Sequence, residues 1–226
     1  MAIYPKRVVY KIVLALYTGS LLIPPKDNLS STTWWRVAVW RQTRLTSRRQ
    51  YQACLFGDSI SAHLGNSFGQ QVFNFALGGM SSISLCEQLK ILVAAQVQCK
   101  KAIIAIGTND AWYRISDDLF QMKMAEAIAL ARAMGASEVI LIPPFYSTLA
   151  ASLNPFLAGT ITRVEEINAL MRQVSAREKV SIASGIQALF NEQALKEDFT
   201  TDGVHLNAEG LKIYRQALLE LLRTQP

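Results

Sequence analysis

Residues 102–106, Ala-Ile-Ile-Ala-Ile, form a run without a polar residue that stops at Gly107-Thr108-Asn109-Asp110. A strand with one wet face would alternate, so an unbroken apolar run between turn formers reads as a strand buried on both faces. Such a strand needs helices above and below its sheet. The rest of the chain supplies them. Residues 53–56 and 71–75 read as two earlier strands, followed by helices over 59–68 and from Ser81 or Ser82 onward, the latter with Leu85, Leu89 and Leu92 on its buried face. Strands at 138–142 and 180–183 alternate with helices that begin at Ser116 and Thr160. Asn207 caps a last helix with Leu211, Tyr214 and Leu218 facing inward. This rhythm implies right-handed β-α-β units and a three-layer α/β/α sandwich around an open parallel sheet.

The 226 residues, half of them apolar, suffice for one sizeable core plus an appendage. The net charge of +6 is unevenly spread. Residues 1–50 hold nine Lys/Arg against the single acid Asp27, whereas residues 51–226 hold 14 basic and 16 acidic side chains. The basic character therefore belongs to the N-terminal segment, and nucleic acid is not an expected partner of the body. One globular domain with an appendage is expected: an apolar and basic extension over 1–50, and a body over 51–226. Cys54, Cys86 and Cys99 lie in apolar segments without C-x-x-C spacing, which predicts buried free thiols.

Within the extension, residues 8–23 are mostly apolar but contain Lys11 and end at Pro24-Pro25, short of the roughly 20 residues a bilayer span requires. Six further basic residues follow, a flank that resists translocation and favours a cytoplasmic body, with a cleaved secretory signal as the alternative. Ser30-Ser31-Thr32-Thr33 offers helix caps before a segment carrying Trp34, Trp35 and Trp40 with Arg36, Arg41 and Arg44. Tryptophan and arginine on one amphipathic segment suit an anionic membrane surface. The plain alternative is a helix packed on the body.

In an open parallel sheet the ligand site lies beyond the carboxyl ends of the strands. Ser59 follows the first strand, Gly79 the second and Asn109 the third, while Asp202 and His205 precede the final helix. A serine hydroxyl needs a base to attack a carbonyl. His205 can serve if Asp202, three residues earlier, accepts its Nδ1 proton and leaves Nε2 free. His63, one turn beyond Ser59, is expected in a structural or surface role. Backbone N–H groups of Ser59 and Gly79 and the Asn109 amide are candidate oxyanion donors. Asp58 is expected to hold its loop by hydrogen bonding.

Together, Gly57-Asp58-Ser59, Asn74-x-Ala-x-x-Gly79, Gly107-Thr108-Asn109-Asp110 and Asp202-x-x-His205 resemble the four blocks of the GDSL-type, or SGNH, hydrolases, in that family's order. The resemblance runs from about residue 51 to the end. It implies a flavodoxin-like five-stranded sheet of order 2-1-3-4-5 and no metal or cofactor. It further implies Ser59 as nucleophile, His205 as base, Asp202 as its orienter, and Ser59, Gly79 and Asn109 as the oxyanion hole, with Gly78 as the alternative to Gly79. The motifs do not select an acyl group. The long connection over 143–159 carries Phe145, Tyr146, Leu149, Leu153 and Phe156, which are expected to line or cover an apolar acyl pocket. Lipid-like esters are favoured over carbohydrate acetates or thioesters. A non-catalytic, membrane-tethered binding protein on the same fold is the rival reading.

Overall fold

The computed structural model describes residues 26–184 and 186–223. The apolar run at 8–23 lies outside them. Among the described residues no helix is long and apolar enough to cross a membrane. After a 3-10 turn at Leu29–Ser31 comes helix α1 (Thr33–Thr46), capped by the Thr32 hydroxyl, which accepts the Trp35 N–H. Strands β1 (Gln50–Gly57), β2 (Val72–Asn74), β3 (Gln98–Ala105), β4 (Glu138–Ile142) and β5 (Ser181–Ile182) form one parallel sheet in the order β2-β1-β3-β4-β5. The connections are helices α2 (Ser59–Ala62), α3 (Ser82–Ala94), α4 (Thr108–Trp112), α5 (Asp117–Ala133), α6 (Leu149–Ser152) and α7 (Ile161–Glu178). A two-residue hairpin, β6 (Phe190–Asn191) with β7 (Ala194–Leu195), precedes the final helix α8 (Ala208–Arg223).

The sandwich follows from alternation along the central strands. Cys54, Phe56, Ala102 and Ile104 point into a core with α3, α5 and α7, whereas Leu55 and Ile103 point to the opposite core with Tyr214 and Leu218 of α8. Strand β3 starts earlier than the apolar run because only its upper half is buried on both faces. Below it, exposed Gln98 and Lys100 alternate with buried Cys99 and Lys101.

Helix α1 packs along α3 and buries Trp35 and Val39. Trp35 is therefore not available to a membrane, contrary to its grouping with Trp34 and Trp40. Trp35 and Val39 are spaced i and i+4, one turn apart on the same side of the helix, and that side is the one turned to the body. A second correction concerns the cysteines. Cys86 is a buried free thiol, pushed up to about 12 by burial. Cys54 and Cys99 are joined in a disulfide between the adjacent strands β1 and β3. They are 45 residues apart in sequence and come together only because β1 and β3 are neighbours in the sheet.

Candidate active site

The turn from β1 into α2 presents Ser59. Gly57 is required there because a Cβ would stand 2.5 Å from the Ser61 hydroxyl and 3.2 Å from the Ala105 carbonyl oxygen. Asp58 caps the short helix, its carboxylate accepting the Ile60 N–H at 3.0 Å. Burial pushes the Asp58 carboxyl up to about 6, against that hydrogen bond. The helix ends sooner than its sequence suggests: Gly65 takes the left-handed conformation, with φ +57°, and the Asn74 amide donates to Ser61 O at 2.8 Å and to Gly65 O at 3.0 Å.

The His205 ring reaches Ser59 from the loop before α8. Its Nε2 lies 2.9 Å from Ser59 Oγ, and its Nδ1 lies 2.8 Å from Asp202 Oδ2. The other Asp202 oxygen accepts the N–H groups of Val204 at 3.0 Å and His205 at 2.8 Å. Partial burial would raise the Asp202 carboxyl, but these hydrogen bonds hold it at about 2. Its hydrogen bond raises the His205 imidazole above its ordinary value, against burial. Thr200, which the sequence reading missed, staples the loop. Its hydroxyl donates to His205 O at 2.8 Å and accepts the Gly203 N–H at 2.8 Å. A Thr-Thr-Asp-Gly turn was the only available signal for it. His63 is exposed and makes a tilted ring contact with His205, with centroids 5.4 Å apart.

The loop of Gly78 and Gly79 faces the serine through Gly78, and Asn109 bonds that loop. A Cβ on Gly78 would lie 3.9 Å from Ser59 Cβ. Gly79 has φ +78°, a conformation that favours glycine, and its carbonyl accepts the Tyr113 hydroxyl at 3.0 Å. Asn109 donates one amide hydrogen to Met80 O at 2.9 Å. Next to it, fully buried Asp110 accepts the hydroxyl of Ser82 at 2.5 Å and its N–H at 3.1 Å. Burial pushes the Asp110 carboxyl up to about 7 despite those bonds.

A family model for the GDSL-like lipase/acylhydrolase family matches residues 52–213, the stretch that carries all of these groups. The chain belongs to that family. It is accordingly an ester-hydrolysing enzyme by class, and its sheet order is the one the motifs implied. Among curated proteins, none matches the chain.

Solved structures share the fold at low identity. A GDSL-like lipase from Bacteroides thetaiotaomicron superposes with a TM-score of 0.67 at 16% identity, covering 84% of this chain and 97% of its own. A lipase/acylhydrolase from Enterococcus faecalis gives 0.59 at 19%, covering 76% and 95%. An acetylxylan esterase from Geobacillus stearothermophilus, solved as a catalytic mutant, gives 0.58 at 17%, covering 79% and 97%.

In this GDSL-like hydrolase the five aromatic and aliphatic residues expected over the acyl pocket do not share one place. Phe145 is buried and packs edge-on against Tyr214 and Phe190. Tyr146 donates its hydroxyl to Glu165 and accepts from the Asn168 amide at 3.1 Å. Both residues line a cavity of about 240 Å³ between the end of β4 and α7, whose lining includes neither Ser59 nor His205. Leu149, Leu153 and Phe156 are instead exposed. Their stretch bridges the two halves of the site: Thr148 N–H donates to Gly203 O at 2.8 Å and the Trp112 indole to Pro155 O at 3.0 Å.

Proposed function

We propose that the enzyme hydrolyses carboxylic esters of apolar acyl groups through an acyl-enzyme on Ser59. The observation that carries the reading is the continuous chain from Ser59 Oγ through the two His205 nitrogens to Asp202, with contacts of 2.9 and 2.8 Å. In this arrangement His205 Nε2 accepts the hydroxyl proton as Ser59 Oγ bonds to the carbonyl carbon. The carbonyl oxygen takes the negative charge and is met by the N–H groups of Ser59 and Gly79 and by the second Asn109 amide hydrogen. His205 then returns the proton to the departing alcohol oxygen. Water repeats the sequence and frees the acid.

Among the described residues, neither Ser59 N–H nor Gly79 N–H donates to another group, so both are available to an oxyanion. Gly79 is preferred to Gly78 because it holds a positive φ of +78° with its carbonyl anchored by Tyr113, which together set the direction of its N–H. The preference for apolar acyl groups is supported by Leu149, Leu153 and Phe156, exposed on the stretch that joins the His205 loop to the Asn109 helix. The α1 surface supports a membrane setting. Trp34, Val37, Trp40 and Leu45 are exposed beside Arg36, Arg41 and Arg44, and the Arg44 guanidinium lies 5.5 Å from the Trp40 ring.

The test is a series of p-nitrophenyl esters from acetyl to octanoyl, with Ser59→Ala as control. Rising kcat/KM with chain length that vanishes in the variant is expected. A strong preference for acetyl would remove the apolar-acyl reading, and full activity in Ser59→Ala would remove the nucleophile.

A further inference from the structure

We infer that the oxyanion loop is held by a four-point clamp in which Asp27 and Tyr113 are positioning residues. The inference rests on the acyl-transfer reading above. Four consecutive residues, from Gly79 to Ser82, are each gripped by a side chain from elsewhere. The Tyr113 hydroxyl donates to Gly79 O at 3.0 Å, and the Asn109 amide donates to Met80 O at 2.9 Å. The Ser81 hydroxyl donates to Asp27, and Ser82 donates to Asp110 through both its hydroxyl and its N–H.

Asn109 and Asp110 belong to the block at 107–110. Tyr113 follows α4, and Asp27 comes from before the span of 52–213 that the family model matches. The second Asp27 oxygen accepts the Leu29 N–H at 2.9 Å. The two methyl carbons of Leu29 lie 3.8 and 3.9 Å from where a Cβ of Gly79 would stand. The N-terminal turn is thus both tied to the loop and packed on the glycine.

A glycine with positive φ reaches conformations that other residues avoid, but it is equally free to leave them. An oxyanion donor is effective only if it is aimed before the substrate arrives, because reorientation during the reaction would offset the gain. The clamp fixes the chain from the Gly79 carbonyl onward, and so anchors from its downstream side the residue whose N–H is the donor. Asp27 is not needed merely to cap α3. Ser81 already accepts the Ile83 N–H at 3.1 Å and shares a capping box with Ser84, and Asp27 takes the remaining hydroxyl proton. That contact fixes the rotation of the Ser81 hydroxyl and, with Leu29, the path of the chain between Gly79 and the helix.

The experiment uses the full chain with Asp27→Asn and Tyr113→Phe, measuring kcat, KM, Tm and the affinity for an alkyl trifluoromethyl ketone. Addition of Ser59 Oγ to that ketone forms a tetrahedral adduct whose oxygen occupies the oxyanion site. Each variant is expected to lose about 10-fold in kcat, with KM held within about twofold, since small misplacements of catalytic groups cost this much or more. Ketone affinity is expected to fall by a similar factor at unchanged Tm. Wild-type kcat and ketone affinity in both variants, or losses that only follow a falling Tm, would overturn the clamp. A wild-type enzyme that neither hydrolyses esters nor binds the ketone would instead overturn the acyl-transfer reading, before any variant is compared.

Discussion

Asn109 has two amide hydrogens. One bonds Met80 O and so shapes the loop, and in the proposed mechanism the other meets a substrate oxygen. Asn109→Ala should lower kcat by about 10² to 10³, the usual cost of losing an oxyanion donor. Steady-state kinetics checks this, and an unchanged kcat would remove the role. In the proposed mechanism His205 sets the pH dependence. It acts as base only when neutral, and Asp202 raises its pKa above the ordinary value of 6.5. Activity is therefore lost as pH falls through a value above 6.5. Asp202→Asn should move this acidic limb of kcat/KM downward while cutting the rate, whereas an unmoved limb would contradict the pairing.

Ser59 and Asn109 are legible in the sequence because each sits among turn formers just after an apolar run, and Asp202 and His205 because they stand three residues apart in the loop before the last helix. Asp27, Tyr113 and Thr200 are not, since a single polar residue acquires its task only from what the fold brings beside it. Phe145 misled for a related reason: an aromatic in a long loop looks available until its core partners are known.

At the scale of elements, α1 shows how one turn of helix separates structural from surface tryptophans. Trp35 is 3% exposed, while Trp34 and Trp40 are 55% and 58% exposed. Trp35→Ala should cost about 3–5 kcal/mol in denaturant unfolding, as large-to-small core changes do. Trp34→Ala should stay within about 0.5 kcal/mol. Equal effects would mean that α1 is not docked as described. Trp35→Phe should cost less than the alanine change, because the buried Trp35 indole N–H has no partner among the described residues.

The five strands and the long helices could be read from periodicity, which measures burial. The hairpin β6–β7 and helix α6 could not, because elements of two to four residues carry no period. The helix after Ser59 is shorter than periodicity suggests, because the left-handed turn at Gly65 is bonded by Asn74, a residue of another strand.

For the molecule as a whole, the charge asymmetry and the fold bear on one question, how substrate reaches Ser59. Residues 1–50 are strongly basic, and the exposed face of α1 joins arginines to Trp34, Val37 and Trp40, while the turn before it touches the Gly79 loop. Flotation with phosphatidylcholine vesicles, with and without anionic phosphatidylserine, should show binding of the full chain that requires the anionic lipid. Trp34→Ser with Trp40→Ser should weaken that binding, and undiminished binding would contradict a role for this face.

All of this depends on Ser59 being an activated nucleophile. Fluorophosphonate labelling of the folded protein, read by intact mass and peptide mapping, tests that most directly. One adduct per chain on Ser59 is predicted, absent in Ser59→Ala and formed far more slowly in His205→Ala. Folded protein that takes up no label, or takes it elsewhere, would contradict the account.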